Sequence, residues 1–204
     1  MEDKNYLNDL KEIKEMMSKS SQFISLSGLS GVLAGIYALI GAYFAYKAIY
    51  IDYNYNLDNY DTSELALKLL IIASIVLISS ITTGILLSIK KAKQTNNKIW
   101  NATSKRLVIN FIIPLAVGGY MGLYLIEKES FSLLTPLTLI FYGLACVNAS
   151  KYTLGDVRYL GLTMIVLGII NTFFVGCGLL FGVLGFGVCH IFYGGMMWFK
   201  YERK

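Results

Sequence analysis

A chain of 204 residues that is 55% hydrophobic, 15% charged and of mean hydropathy +0.57 has too few charges to cover a water-soluble domain of that size. Its formal net charge of +5 reflects a rule of placement, given below, and not an affinity for nucleic acid. Three cysteines, Cys146, Cys177 and Cys189, without CxxC or CxxH spacing, specify neither a disulfide framework nor a metal site.

Residues 1–22 carry mixed charge around a stripe of Tyr6, Leu10, Ile13 and Met17, spaced 4, 3, 4. That pattern predicts an amphipathic helix outside the hydrocarbon, packed on the protein or lying at the membrane surface. It covers about two heptads, short of a coiled coil. No cleavable leader is expected, because about twenty polar residues precede the first apolar run and that run is too long for one.

The first span, 23–51, contains an unusual seam. Ser27, Gly31, Ala34, Ala38, Gly41 and Ala45 are spaced 4, 3, 4, 3, 4, and Gly28, Gly35 and Ala42 repeat every seven residues beside them. In water such a heptad has no apolar knobs to bury. In a bilayer small residues let two helix backbones approach closely. The seam is in phase with the N-terminal stripe, so either one long helix runs through both or the serines at 18–21 start a new one. Tyr43, Tyr46, Tyr50 and Tyr53 lie off the seam and read as an interfacial belt.

An acidic loop, 52–63, follows, and Asp61 with Glu64 has the spacing of a capping box. The second span, 65–89, leads into the basic loop 90–106, which holds Trp100. The third, 107–126, contains Pro114, a kink signal; the fourth, 131–150, has Pro136 in its first turns. The fifth, 159–175, turns over at Gly176–Cys177–Gly178 into the sixth, 179–199, and residues 200–204 form a short tail. The tetrapeptide at 140–143 recurs at 191–194 and hints at a parallel duplication of hairpins.

The fold class is therefore all-α, a polytopic transmembrane bundle of six spans occupying 23–199. Fifteen of the eighteen lysines and arginines fall in the N-terminal segment, the loop 90–106, the link 151–158 and the tail; only Lys47, Lys68 and Lys128 fall at the other face. The positive-inside rule then places both termini in the cytoplasm. The loop 90–106 is a candidate contact for anionic lipid headgroups.

His190 is the one ionisable residue near the middle of a span, with no carboxylate at its level. It is either a proton or ligand site or a neutral ring bonded to a neighbouring helix, with Tyr142, Asn148 or a backbone carbonyl as partner. Gly182, Gly185, Gly187, Gly194 and Gly195 crowd the same span, for close packing or for a local unwinding that would free carbonyls beside His190. Asn110 and Asn148 are placed to bond across the hairpin of spans three and four. No catalytic set can be assembled, and no cofactor is implied.

The segments at 23–42, 139–161 and 185–204, FISLSGLSGVLAGIYALIGA, LIFYGLACVNASKYTLGDVRYLG and GFGVCHIFYGGMMWFKYERK, resemble a family of small, uncharacterised bacterial integral membrane proteins. The resemblance implies the bacterial cytoplasmic membrane and brings no substrate. Two functions are carried forward. One is a non-enzymatic component acting through helix packing, with the first-span seam as a face for self-association or a membrane partner. The alternative is a channel or small-solute transporter centred on His190.

Overall fold

The computed structural model describes residues 23, 26–52, 62–95 and 99–203. The N-terminal stripe, Tyr53 and Asp61 lie outside the described residues. Six helices are long and apolar enough to cross a membrane, and no strand occurs among the described residues. Helix α1 runs over Gly28–Tyr46 and continues in π turns over Lys47–Asp52. Helix α2 is Thr62–Gln94 and α3 is Ala102–Glu127. Helix α4, Leu134–Ala149, is flanked by single 3-10 turns at Phe131–Leu133 and Ser150–Tyr152. Helix α5 is Asp156–Phe173. Helix α6 is continuous from Gly178 to Tyr201, with π turns over Val183–Cys189.

The limits of α2 and α3 do not fall where hydropathy fades. Helix α2 runs on through Lys90, Lys91 and Lys93; its 33 residues span about 50 Å, against a hydrocarbon core of about 30 Å. Helix α3 starts at Ala102 because Asn101 and Ser104 form a reciprocal capping box, both bonds 2.8 Å. Trp100, just before it, is exposed, with the Lys105 ammonium 5.9 Å from its ring centre.

Helix α1 begins at Gly28, later than the span start expected at 23. Phe23, Leu26 and Ser27 are not helical, and Ser27 is extended at φ −91°, ψ 128°. The continuous phase from the N-terminal stripe into the seam is therefore broken at Ser27. The physical reason is a cap supplied from elsewhere in the chain, described below.

Helix α4 packs between α3 and α5, α6 lies against α4 and α5, and α1 packs on α6 along one side and on α2 along another. The core sits among α4, α5 and α6. Leu139, Leu160 and Met164 form one cluster; Cys146, Leu154, Val157 and Met197 form a second; Tyr142 touches both. Large apolar side chains on the outer faces, such as Ile78, Leu86, Tyr120 and Phe192, are more than half exposed. In water that would be an extreme patch; in hydrocarbon it is the solvated surface.

Two helix pairs meet backbone to backbone. A methyl group placed on Gly143 of α4 would lie 2.5 Å from the Gly161 carbonyl oxygen of α5, and one on Gly161 would lie 2.7 Å from the Gly143 oxygen. The tightest hairpin is thus α4 with α5, which cuts across the duplication hinted at by the repeated tetrapeptide.

Candidate functional site

The first-span seam has a partner within the chain. A methyl on Gly31 would stand 3.1 Å from Gly194 Cα; one on Gly35 would stand 2.7 Å from the Gly187 carbonyl oxygen and 2.7 Å from Ile191 Cγ1. Reciprocally, one on Gly194 would lie 2.6 Å from Val32 N and 2.8 Å from the Gly28 oxygen. Of the glycines crowding the sixth span, Gly187 and Gly194 are therefore the complement of the seam, whereas Gly182 and Gly185 face Thr135 and Leu139 of α4. Gly41 is different: its neighbour is Val76 of α2, and Tyr37 on the same side hydrogen-bonds to Thr83 at 3.2 Å. Ala34, Ala38 and Ala45 are half-buried alongside.

At one end of this interface is a clasp that the sequence did not disclose. Glu202, just beyond α6, accepts from the backbone N–H of Gly28 and from Ser27 Oγ at 3.1 Å. Lys91 of α2 donates to the Leu26 carbonyl at 2.7 Å and pairs with Glu202 at 3.2 Å. The side chains of Lys91 and Glu202 are only 14% and 16% exposed, so the pair is shielded from water. The first N–H groups of a helix have no partner within it, and the helix dipole favours a carboxylate there; Glu202 supplies both needs for α1.

Further contacts close the same end. Phe23 N donates to the Tyr152 carbonyl at 2.7 Å, Thr153 Oγ1 donates to the Phe23 carbonyl at 2.9 Å, and Lys200 pairs with Asp156 at 3.1 Å. The start of α1, the end of α2, the α4–α5 link and the end of α6 thus share one face of the molecule, the clasp end. The residue signal was present in Glu202 and Asp156, but each stood in a short segment that read as part of a basic face.

His190 and Tyr142 come together as the sequence reading allowed. Tyr142 Oη and His190 Nε2 are 2.7 Å apart, and His190 Nδ1 is 3.1 Å from the Gly185 carbonyl oxygen. A carbonyl only accepts, so Nδ1 carries a proton; in the neutral ring Nε2 is then the acceptor and the Tyr142 hydroxyl donates to it. The ring has both nitrogens satisfied, is 7% exposed, and sits against Phe186 and Tyr142. The unwinding considered near Gly185 and Gly187 is not there: the segment stays helical in π turns, and the carbonyl they turn out is taken by His190 itself.

Asn148 does not join the pair; its Nδ2 donates to the Asn110 carbonyl at 3.0 Å and links α4 to α3, the hairpin bond expected between these two residues. Among the described residues no group of three or more His, Cys, Asp or Glu side chains could hold a metal ion.

The Tyr142–His190 bond permits a clean test. Tyr142→Phe leaves Nε2 without its donor, and a stability loss of about 1–2 kcal/mol is expected, with a double-mutant cycle against His190→Leu giving a coupling near 1 kcal/mol. Thermal unfolding in detergent measures it; a coupling near zero would mean that the bond contributes nothing to the fold.

No protein-family model matches the sequence, and searches of curated proteins and of solved structures return no significant match. The resemblance of the three segments to a bacterial family thus has no matching model beside it. The geometry itself identifies an all-helical chain with six helices of membrane-crossing length and hydropathy, compatible with a multi-pass membrane protein.

Proposed function

We propose that the chain is a non-enzymatic protein of the bacterial cytoplasmic membrane, with the clasp end on the cytoplasmic side, that works as a helix-packed binding component. The asymmetry of Lys and Arg supports the orientation. The observation that carries the binding role is the position of α2. It packs chiefly on α1, and its most apolar stretch contains no buried residue, whereas the other five helices each bury part of theirs. Leu77, Ile78, Ile81 and Ile85 form its exposed outer face. The seam of α1 is already occupied by α6 over Gly28–Gly35, which directs a membrane partner or a second copy of the chain to α2 instead.

Cysteines introduced at Ile78 and Ile81 in a Cys177→Ser chain, oxidised in native membranes, test this. A discrete cross-linked species of one size is the expected result. Monomer alone, or a smear equal to that from a cysteine at Ile112 on α3, would overturn it.

A second reading, passage of a small solute at His190, draws on the π turns Val183–Cys189 beside that ring, since such turns often mark working positions. Labelling of His190→Cys by a membrane-impermeant maleimide in intact cells would favour it over the first.

A further inference from the structure

Between α1 and α2, towards the end away from the clasp, lies a groove of about 600 Å³, within the range usual for ligand sites. Its floor is where Gly41 meets Val76, and its walls are aliphatic and aromatic, with Ile40, Phe44, Ile71 and Ile75 prominent. Lys47 and Lys68 complete the lining. These are two of the only three lysines or arginines that the charge pattern places at the far face, so their convergence on one groove is not explained by a general abundance of charge there.

The backbone adds an independent sign. Helix α1 changes from α to π turns at Lys47, and Lys47 and Ala48, which open that segment, both line the groove. The paired rings of Tyr46 and Tyr50, 4.9 Å apart, lie at the same level and are exposed, as side chains at a membrane interface are. An apolar trough beginning beside cations at headgroup depth matches one chemistry: an acyl chain below and a phosphate above.

We propose that this groove seats one acyl chain of an anionic phospholipid from the leaflet at the far end, with its phosphate held by Lys47 and Lys68. Lys68 also pairs with Glu64 at 2.9 Å, so that carboxylate opposes the headgroup, and the Lys47, Lys68 and Glu64 charges sum to one net positive charge. The site is distinct from the outer face of α2 and from the basic loop 90–106. It goes beyond the binding role proposed above and does not depend on it.

The full chain in mild detergent, incubated with equal phosphatidylglycerol and phosphatidylcholine and examined by native mass spectrometry, tests the assignment without any protein partner. The wild type is expected to retain phosphatidylglycerol preferentially. Lys47→Gln should reduce that preference by about fivefold, the effect of roughly one interfacial charge, and Glu64→Gln should raise it. Ser79→Phe, which narrows the groove, should lower retention of both lipids. Both lysine sites are exposed enough to change without repacking, so folding does not confound them. An unchanged ratio in Lys47→Gln/Lys68→Gln, an equal loss in Lys105→Gln at the clasp end, or displacement of the lipid by inorganic phosphate would each overturn the proposal.

Discussion

Gly194→Ala is expected to destabilise the chain by about 2–3 kcal/mol, while Gly195→Ala, one residue away, leaves stability unchanged or raises it by up to about 1 kcal/mol. The added methyl at 194 would sit 2.6 Å from Val32 N, 2.8 Å from the Gly28 oxygen and 2.9 Å from Gly31 C, all backbone atoms. Nothing there can swing aside; α1 and α6 must separate along their whole contact and lose dispersion contacts, the main attraction between helices in lipid. At 195 the methyl meets nothing within 4 Å, so only the helix preference for alanine over glycine acts. Gly35→Leu should behave like 194 and more severely. Unfolding midpoints of the purified variants measure all three, and equal midpoints for the two alanine variants would show that α1 and α6 do not meet as described.

The second large effect concerns the clasp. Glu202→Ala should cost about 3 kcal/mol, because it removes the acceptor at the start of α1 and leaves Lys91 as a shielded cation with the Leu26 carbonyl but no counter-charge. Lys91→Met should cost less, since Glu202 keeps the Gly28 N–H and the Ser27 hydroxyl as donors. Hydrogen exchange at the amides of residues 28–31 separates this from general loosening. Those amides should exchange faster in Glu202→Ala while α4 and α5 stay protected. Uniform acceleration throughout the bundle, or none, would show that Glu202 does not cap α1.

These two cases also show what a sequence of this kind makes readable. Six long apolar runs follow from the requirement that every backbone polar group in lipid be bonded within its own helix, so they are visible residue by residue. The small seam was legible for the same reason, since its spacing is a property of one helix. Its partner was not: Gly187 and Gly194 are seven apart, as Gly28 and Gly35 are, but which two helices meet depends on tertiary packing. Glu202 was hidden by composition. In a segment that counts as basic, a single carboxylate looks like dilution of charge, and only its distance to Gly28 N gives it a role. The helix limit missed at Ala102 has a local cause, the Asn101–Ser104 capping box, while α2 reaches Gln94 because a helix need not stop where hydropathy falls.

The join between α1 and Glu202 also sets an order of events during synthesis. Helix α1 leaves the ribosome before any other described helix, yet its close-fitting neighbour α6 and the carboxylate that completes its first turn are translated after all the rest. Helices α4 and α5 each meet the helix before them as they emerge. Helix α1 must wait in the bilayer, with only α2 beside it, until α6 arrives to close the bundle.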